Sequence, residues 1–116
     1  MLGLGTEHQY YYSLTPTDMR KGFNGLSGLV REHMDATQGQ KSVYAFINKR
    51  RDKLKLLYWR PGGFVLYYKR LEVSVFELPK YDISEGLLVL SYTEMIMILD
   101  GISIVNTKKK ERYSSN

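Results

Sequence analysis

The spacing of apolar positions changes several times along the chain, and each change marks an element. Residues 8–14, HQYYYSL, are aromatic and β-prone and predict a first strand. From 15 onward the spacing becomes helical: Met19, Phe23, Leu26 and Val30, with Leu29 beside them, fall on one face. Thr15 as cap, Pro16 at the first helical position and Asp18 three residues after Thr15 place the start of that helix at 15. Gly22, Gly25 and Gly28 recur inside it, each costing about 1 kcal/mol relative to Ala. Close packing of helix on sheet would explain them. They fall within the helical pattern rather than before it, which argues against a phosphate-gripping loop.

DATQGQ (35–40) reads as a loop, and SVYAFIN (42–48), KRRD and KLKLLYW then predict an antiparallel hairpin. Alternation puts Lys53 and Lys55 on one face of the second strand and Leu54 and Leu56 on the other. RPGG (60–63) is a turn. Beyond it Phe64, Tyr67, Tyr68 and Leu71 follow i, i+3, i+4, i+7, so FVLYYKRLE reads as a short helix, although its alternation would also suit a strand. VSVFELP returns to strand character up to Pro79, and LLVL (87–90) is another short strand. Ser91 and Glu94 form a capping box before the apolar helix YTEMIMILD, which Gly101 stops. These elements predict a single α+β domain over residues 1–106, a mostly antiparallel sheet with two to three helices packed against it. A flexible basic tail is expected over 107–116.

Charge changes this picture more than composition does. The net +5 is unevenly spread: residues 49–70 hold eight basic side chains against Asp52 alone, whereas 71–106 hold six acids against Lys80. Such a divided molecule favours contact with a polyanion through its basic middle. The chain has no cysteine, which excludes disulfides and thiolate metal sites and fits a reducing, cytoplasmic setting. MLGLGTEHQ lacks the marks of a signal peptide, and no apolar run of about 18 residues predicts a membrane span.

Catalytic chemistry finds little support. His8 and His33 stand far apart without an H-x-x-x-H partner, so no metal site is expected. Asp18, Asp35, Asp52, Asp82 and Asp100 read as a cap, loop and helix-end residues rather than converging carboxylates. Nucleophile elbow, Walker loop and GxGxxG are all absent from the sequence, and no cofactor is expected. The interleaved Arg50, Arg51, Lys53, Lys55, Trp59, Arg60, Tyr67, Lys69 and Arg70 instead combine phosphate-neutralising charge with rings that can stack on bases. An ordinary solvated hairpin tip with core aromatics would carry the same residues.

Four ordered blocks add a resemblance: TDMRKGFNGLSGLV (17–30), NKRRDKLKLLYW (48–59), GFVLYYKRLE (63–72) and F-x-L-P (76–79). With LSYTEMIMILDGI (90–102) they resemble TnpB, the small accessory protein of the bacterial insertion sequences of the group numbered sixty-six. The resemblance covers about residues 10–104, with motif positions on Asp18, Met19, Arg20 and Lys21, on Arg50 to Tyr58, and on Lys69, Arg70 and Leu71. It departs at Val73-Ser74, where many relatives have Gly, and at Ser103-Ile104, where relatives often have Asp-Trp.

The resemblance implies a non-catalytic protein that assists transposition while a separate transposase carries the catalytic carboxylates. DNA at the element's ends and the transposase are the expected partners. The expected nucleic-acid contacts are Arg50, Arg51, Lys53, Lys55, Arg60, Lys69 and Arg70, with Leu54, Leu56 and Tyr58 anchoring the hairpin. Arg20, Lys21 and Trp59 are candidate partner contacts. The competing reading is an adaptor that docks on the transposase without binding DNA.

Overall fold

The computed structural model describes residues 3–33, 41–78 and 86–101. Five strands and two helices follow in the order β1 (Gln9–Ser13), α1 (Phe23–His33), β2 (Ser42–Ile47), β3 (Lys53–Arg60), β4 (Gly63–Arg70), β5 (Leu87–Leu90) and α2 (Tyr92–Leu99). They make one sheet in the order β4-β3-β2-β1-β5. Among the described residues β1–β2 is the one parallel pair, joined by the crossover that carries α1; the others are antiparallel. The expected mostly antiparallel α+β fold is what forms, with two helices among the described residues.

Each face of the sheet has its own core. Strand alternation turns Tyr10 and Tyr12 toward one face, where they join Val43, Ala45, Ile47, Leu54, Leu56 and Tyr58 under α2 residues Met95, Ile98 and Leu99. Tyr11 points the other way and stacks on Tyr44, with ring centroids 5.5 Å apart. On that second face Tyr44, Phe46 and Leu57 meet Leu26 of α1. Central strand β2 is therefore buried at all six positions, which is why SVYAFI carries almost no polar side chain. Tyr10 keeps its hydroxyl satisfied by donating to Gly5 O at 2.8 Å, and burial first of all pushes its pKa up to about 12.

Three expectations are corrected. Residues 64–70 are strand, not helix: β4 pairs with β3 along its whole length, from Lys53–Arg70 to Arg60–Gly63. Residues 73–78 form no strand. Leu71 N–H donates to Asp52 O and Phe76 N–H to Arg51 O, so this segment wraps the hairpin tip and inserts Phe76 and Leu78 into the α2-side core. Helix α1 starts at Phe23 rather than near Thr15. Thr17 N–H bonds Ile47 O at 2.9 Å and holds 15–18 against β2, so the first helical bond runs from Leu26 N–H to Gly22 O.

Close helix–sheet contact does not explain the glycines either. A Cβ on Gly22 or Gly28 would meet nothing within 4 Å, and one on Gly25 would meet the Lys21 side chain at 3.1 Å. The 35–40 loop, Pro79 and the basic tail lie outside the described residues.

The α2 capping box forms as expected: Glu94 N–H donates to Ser91 Oγ and Ser91 N–H to Glu94 Oε1, both at 3.0 Å, while Gly101 ends the segment at φ 78°. Ser91→Ala removes the side-chain acceptor and should lower stability by about 1 kcal/mol, read as a Tm loss of a few degrees. Ser91→Asp should retain most of that stability. An unchanged Tm in the alanine variant would mean the cap contributes nothing.

Candidate nucleic-acid interface

The KRRD turn is shaped by one side chain. Asn48 Oδ1 accepts from the backbone N–H of Asp52 and Lys53, and its Nδ2 donates to Asp52 Oδ1 at 2.7 Å. That last bond is the chief reason the Asp52 carboxyl titrates below its ordinary value. Arg51 N–H closes the turn on Asn48 O, and Arg51 adopts φ 63°, a left-handed conformation that strains any residue but glycine. The tip is thus a hydrogen-bonded turn presenting Lys49, Arg50 and Arg51 to solvent.

Beside the tip lies the 15–21 segment, held by a buried lysine. Lys55 is only 7% exposed. Its ammonium donates to Met19 O at 2.7 Å and Lys21 O at 2.8 Å, and stands 4.8 Å from the ring centroid of Tyr68. A buried charge is tolerable when such partners replace its water. The expected phosphate contact at Lys55 is therefore corrected: its donors point into the protein and clamp the segment to β3. Asp18, midway along that segment, accepts from Arg20 N–H at 2.9 Å and pairs with the Arg20 guanidinium at 2.6 Å. Arg20 and Lys21 precede α1 in a turn, with Lys21 N–H on Asp18 O.

Segment and tip enclose an open groove of about 590 Å³. Its walls include Arg20, Lys49, Arg50, Lys53 and Tyr68, together with Asp18 and Asn48. Asp18 is already partnered by Arg20, and none of Lys49, Arg50 and Lys53 forms an ion pair with a described carboxylate. The groove is consequently electropositive.

The other expected residues lie elsewhere. Lys69 faces the opposite side of the sheet and donates to Leu99 O, so it neutralises the negative end of α2. Arg60, at the far end of the hairpin, donates to Gly3 O at 3.3 Å. Arg51 is exposed but does not line the groove. Arg70 sits opposite Lys53 and pairs with Glu72 at 3.1 Å. Trp59 packs edge-on against Phe64, centroids 5.2 Å apart. Sequence reasoning missed Lys49 as a wall residue, although it opens the basic run. Among the described residues no group of three or more His, Asp or Glu side chains could hold a metal ion, and no helix is long and apolar enough to cross a membrane.

Fold and groove together define a small sheet protein with a basic groove beside its hairpin tip. The chain belongs to the IS66 Orf2-like protein family, whose sequence model matches residues 8–109, and it is an insertion-sequence accessory protein. An uncharacterized protein of Sinorhizobium fredii, y4jC, is 30% identical over 110 residues, covering 95% of this chain and 92% of that one. No solved structure matches.

Two outcomes are expected at this site. Lys55→Met keeps the stem but leaves two inward carbonyls without their donor, so stability should fall by about 2–3 kcal/mol, a Tm loss on the order of 10 °C. A loss under about 0.5 kcal/mol, the usual effect of a surface change, would mean the clamp is not formed. The second concerns Asp18, whose pKa is lowered from 3.8 to about 2, chiefly by the hydrogen bonds from Arg20. A depressed carboxyl lends its stability above the ordinary value and loses it as pH falls through the folded one. In an NMR titration Asp18 should therefore have its midpoint near 2 and move up toward 3.8 in Arg20→Ala. An unperturbed midpoint in the wild type would mean the pair is unpopulated in solution.

Proposed function

We propose that the protein assists transposition by gripping nucleic acid, at the element's ends or within a transposase–DNA assembly, through the groove between the 15–21 segment and the hairpin tip. The observation that carries this reading is the set of cations Lys49, Arg50 and Lys53 around one open groove in which Asp18 and Arg20 already neutralise each other. Phosphates entering it would displace solvent counterions rather than protein carboxylates, and the hydrogen-bonded turn would lose little freedom on binding. No step of bond-making or bond-breaking is assigned to these residues; the role is to hold and position.

A second reading rests on residues 72–77. Val73 is 98% exposed and Val75 51% exposed, between exposed Glu72 and Glu77. An apolar strip edged with acid suits a basic protein surface, and the transposase is the partner this reading assigns to it.

Binding to duplex DNA from the element's ends, measured across a salt series, separates the two. Three groove cations without a carboxylate partner predict that log K falls with log salt at a slope of about −3. Lys49→Ala/Arg50→Ala/Lys53→Ala should weaken binding and flatten the slope toward zero, with Tm unchanged. Wild-type affinity and slope in this triple variant would overturn the groove reading. If Val73→Asp instead abolishes transposase capture while the triple variant has no effect, the adaptor reading takes its place.

A further inference from the structure

The charged groove continues into a row of aromatic side chains that the domain leaves uncovered. Residues directly opposite in β3 and β4 share a face, so the face carrying α1 shows the pairs Lys53–Arg70, Lys55–Tyr68, Leu57–Leu66 and Trp59–Phe64 in sequence. β4 is the edge strand, and along it Phe64 is 53% and Tyr68 51% exposed, while Leu66 between them is drawn into the α1-side core. Tyr68 belongs to both features, lining the groove and starting the row.

Each ring is held by a partner. The Lys55 ammonium stands against Tyr68, and Trp59 packs edge-on against Phe64 at an interplanar angle of 80°. A half-exposed ring fixed in this way is not needed to fill the core, and it loses little side-chain freedom when something stacks on it.

We infer that this face is a stacking platform for a single strand of nucleic acid, its phosphates in the Lys49–Arg50–Lys53 groove and unpaired bases on Tyr68 and Phe64. The inference rests on the groove reading and names the form of nucleic acid the groove takes. Charge alone would suit a duplex equally, but aromatic faces would not: bases in a duplex are paired and stacked on each other, with no face to offer. Four residues of strand put the two Cα atoms that carry the rings about 14 Å apart. That is several times the ~3.4 Å rise between stacked bases in a duplex strand, so each ring takes a separate base of an extended strand.

The test uses the chain's one tryptophan, Trp59, as reporter. The full-length protein is titrated at fixed salt with an oligothymidylate of about twelve nucleotides and with a duplex of equal length, a size within the range one such surface spans. The oligothymidylate should bind about tenfold or more tightly than the duplex and quench Trp59 emission. Phe64→Ala/Tyr68→Ala should cut single-strand affinity at least about tenfold while leaving duplex affinity and its salt slope unchanged. Tyr68→Phe, which keeps the ring, should bind like wild type, and Phe64→Ala alone should give a partial loss should the double variant fold poorly.

Equal affinity for the two forms, or equal loss of both in the aromatic variants, overturns this inference but leaves the groove reading standing. Failure to bind either form overturns both. A wild-type dimer that the Phe64 and Tyr68 changes convert to monomer, with nucleic-acid affinity untouched, assigns the face to a second copy and overturns the inference too.

Discussion

The local architecture around the groove depends on the two hydrogen bonds that the Lys55 ammonium donates to the carbonyls of Met19 and Lys21. A lysine in the middle of a buried strand is unfavourable unless its donors are taken up, and here the backbone of another segment takes them. That requirement fixes 19–21 against β3 and sets Arg20 beside the hairpin tip. The same ammonium faces Tyr68 and so ties edge strand β4 to the segment. One cation thereby shapes a groove whose outer walls are other cations.

Strand alternation then divides the basic hairpin between two duties. On the α1 side Lys53 and Arg70 face each other beside the groove, with Lys49 and Arg50 at the tip. On the α2 side Lys69 and Arg60 are spent on backbone carbonyls, Lys69 at the negative end of α2 and Arg60 on the amino-terminal segment. The eight basic residues of 49–70 are thus not one patch. Their excess over Asp52 is partly structural, and the part whose side chains carry no internal bond to a described residue is the tip and its groove.

What could be read from the sequence followed from short-range rules. The tyrosine-rich β1, the hairpin of β2 and β3, and the Ser91–Glu94 cap each rest on alternation or on a three-residue spacing, which local sequence contains. β4 was misread because an edge strand with aromatics on both faces imitates helical spacing. Phe64 and Tyr68 lie on one face and Val65 and Tyr67 on the other, and nothing local shows that the first pair is exposed. The 73–78 segment has strand-like composition, yet its bonds go to the hairpin tip, and its buried residues are Phe76 and Leu78 rather than an alternating set. Lys55 and Lys69 look like surface charges in sequence because their acceptors lie 34–36 and 30 residues away. The family resemblance, by contrast, spans blocks along the whole domain, and it was legible where individual side-chain duties were not.

The central claim is that the groove built around Lys55 is where nucleic acid sits. Amide chemical-shift mapping with DNA from the element's ends addresses it most directly. The account predicts that the largest changes fall on Arg20, Lys49, Arg50, Lys53 and Tyr68, while Met95 and Ile98 on the opposite face stay still. Changes confined to residues 72–77, or spread evenly over both faces, would contradict it.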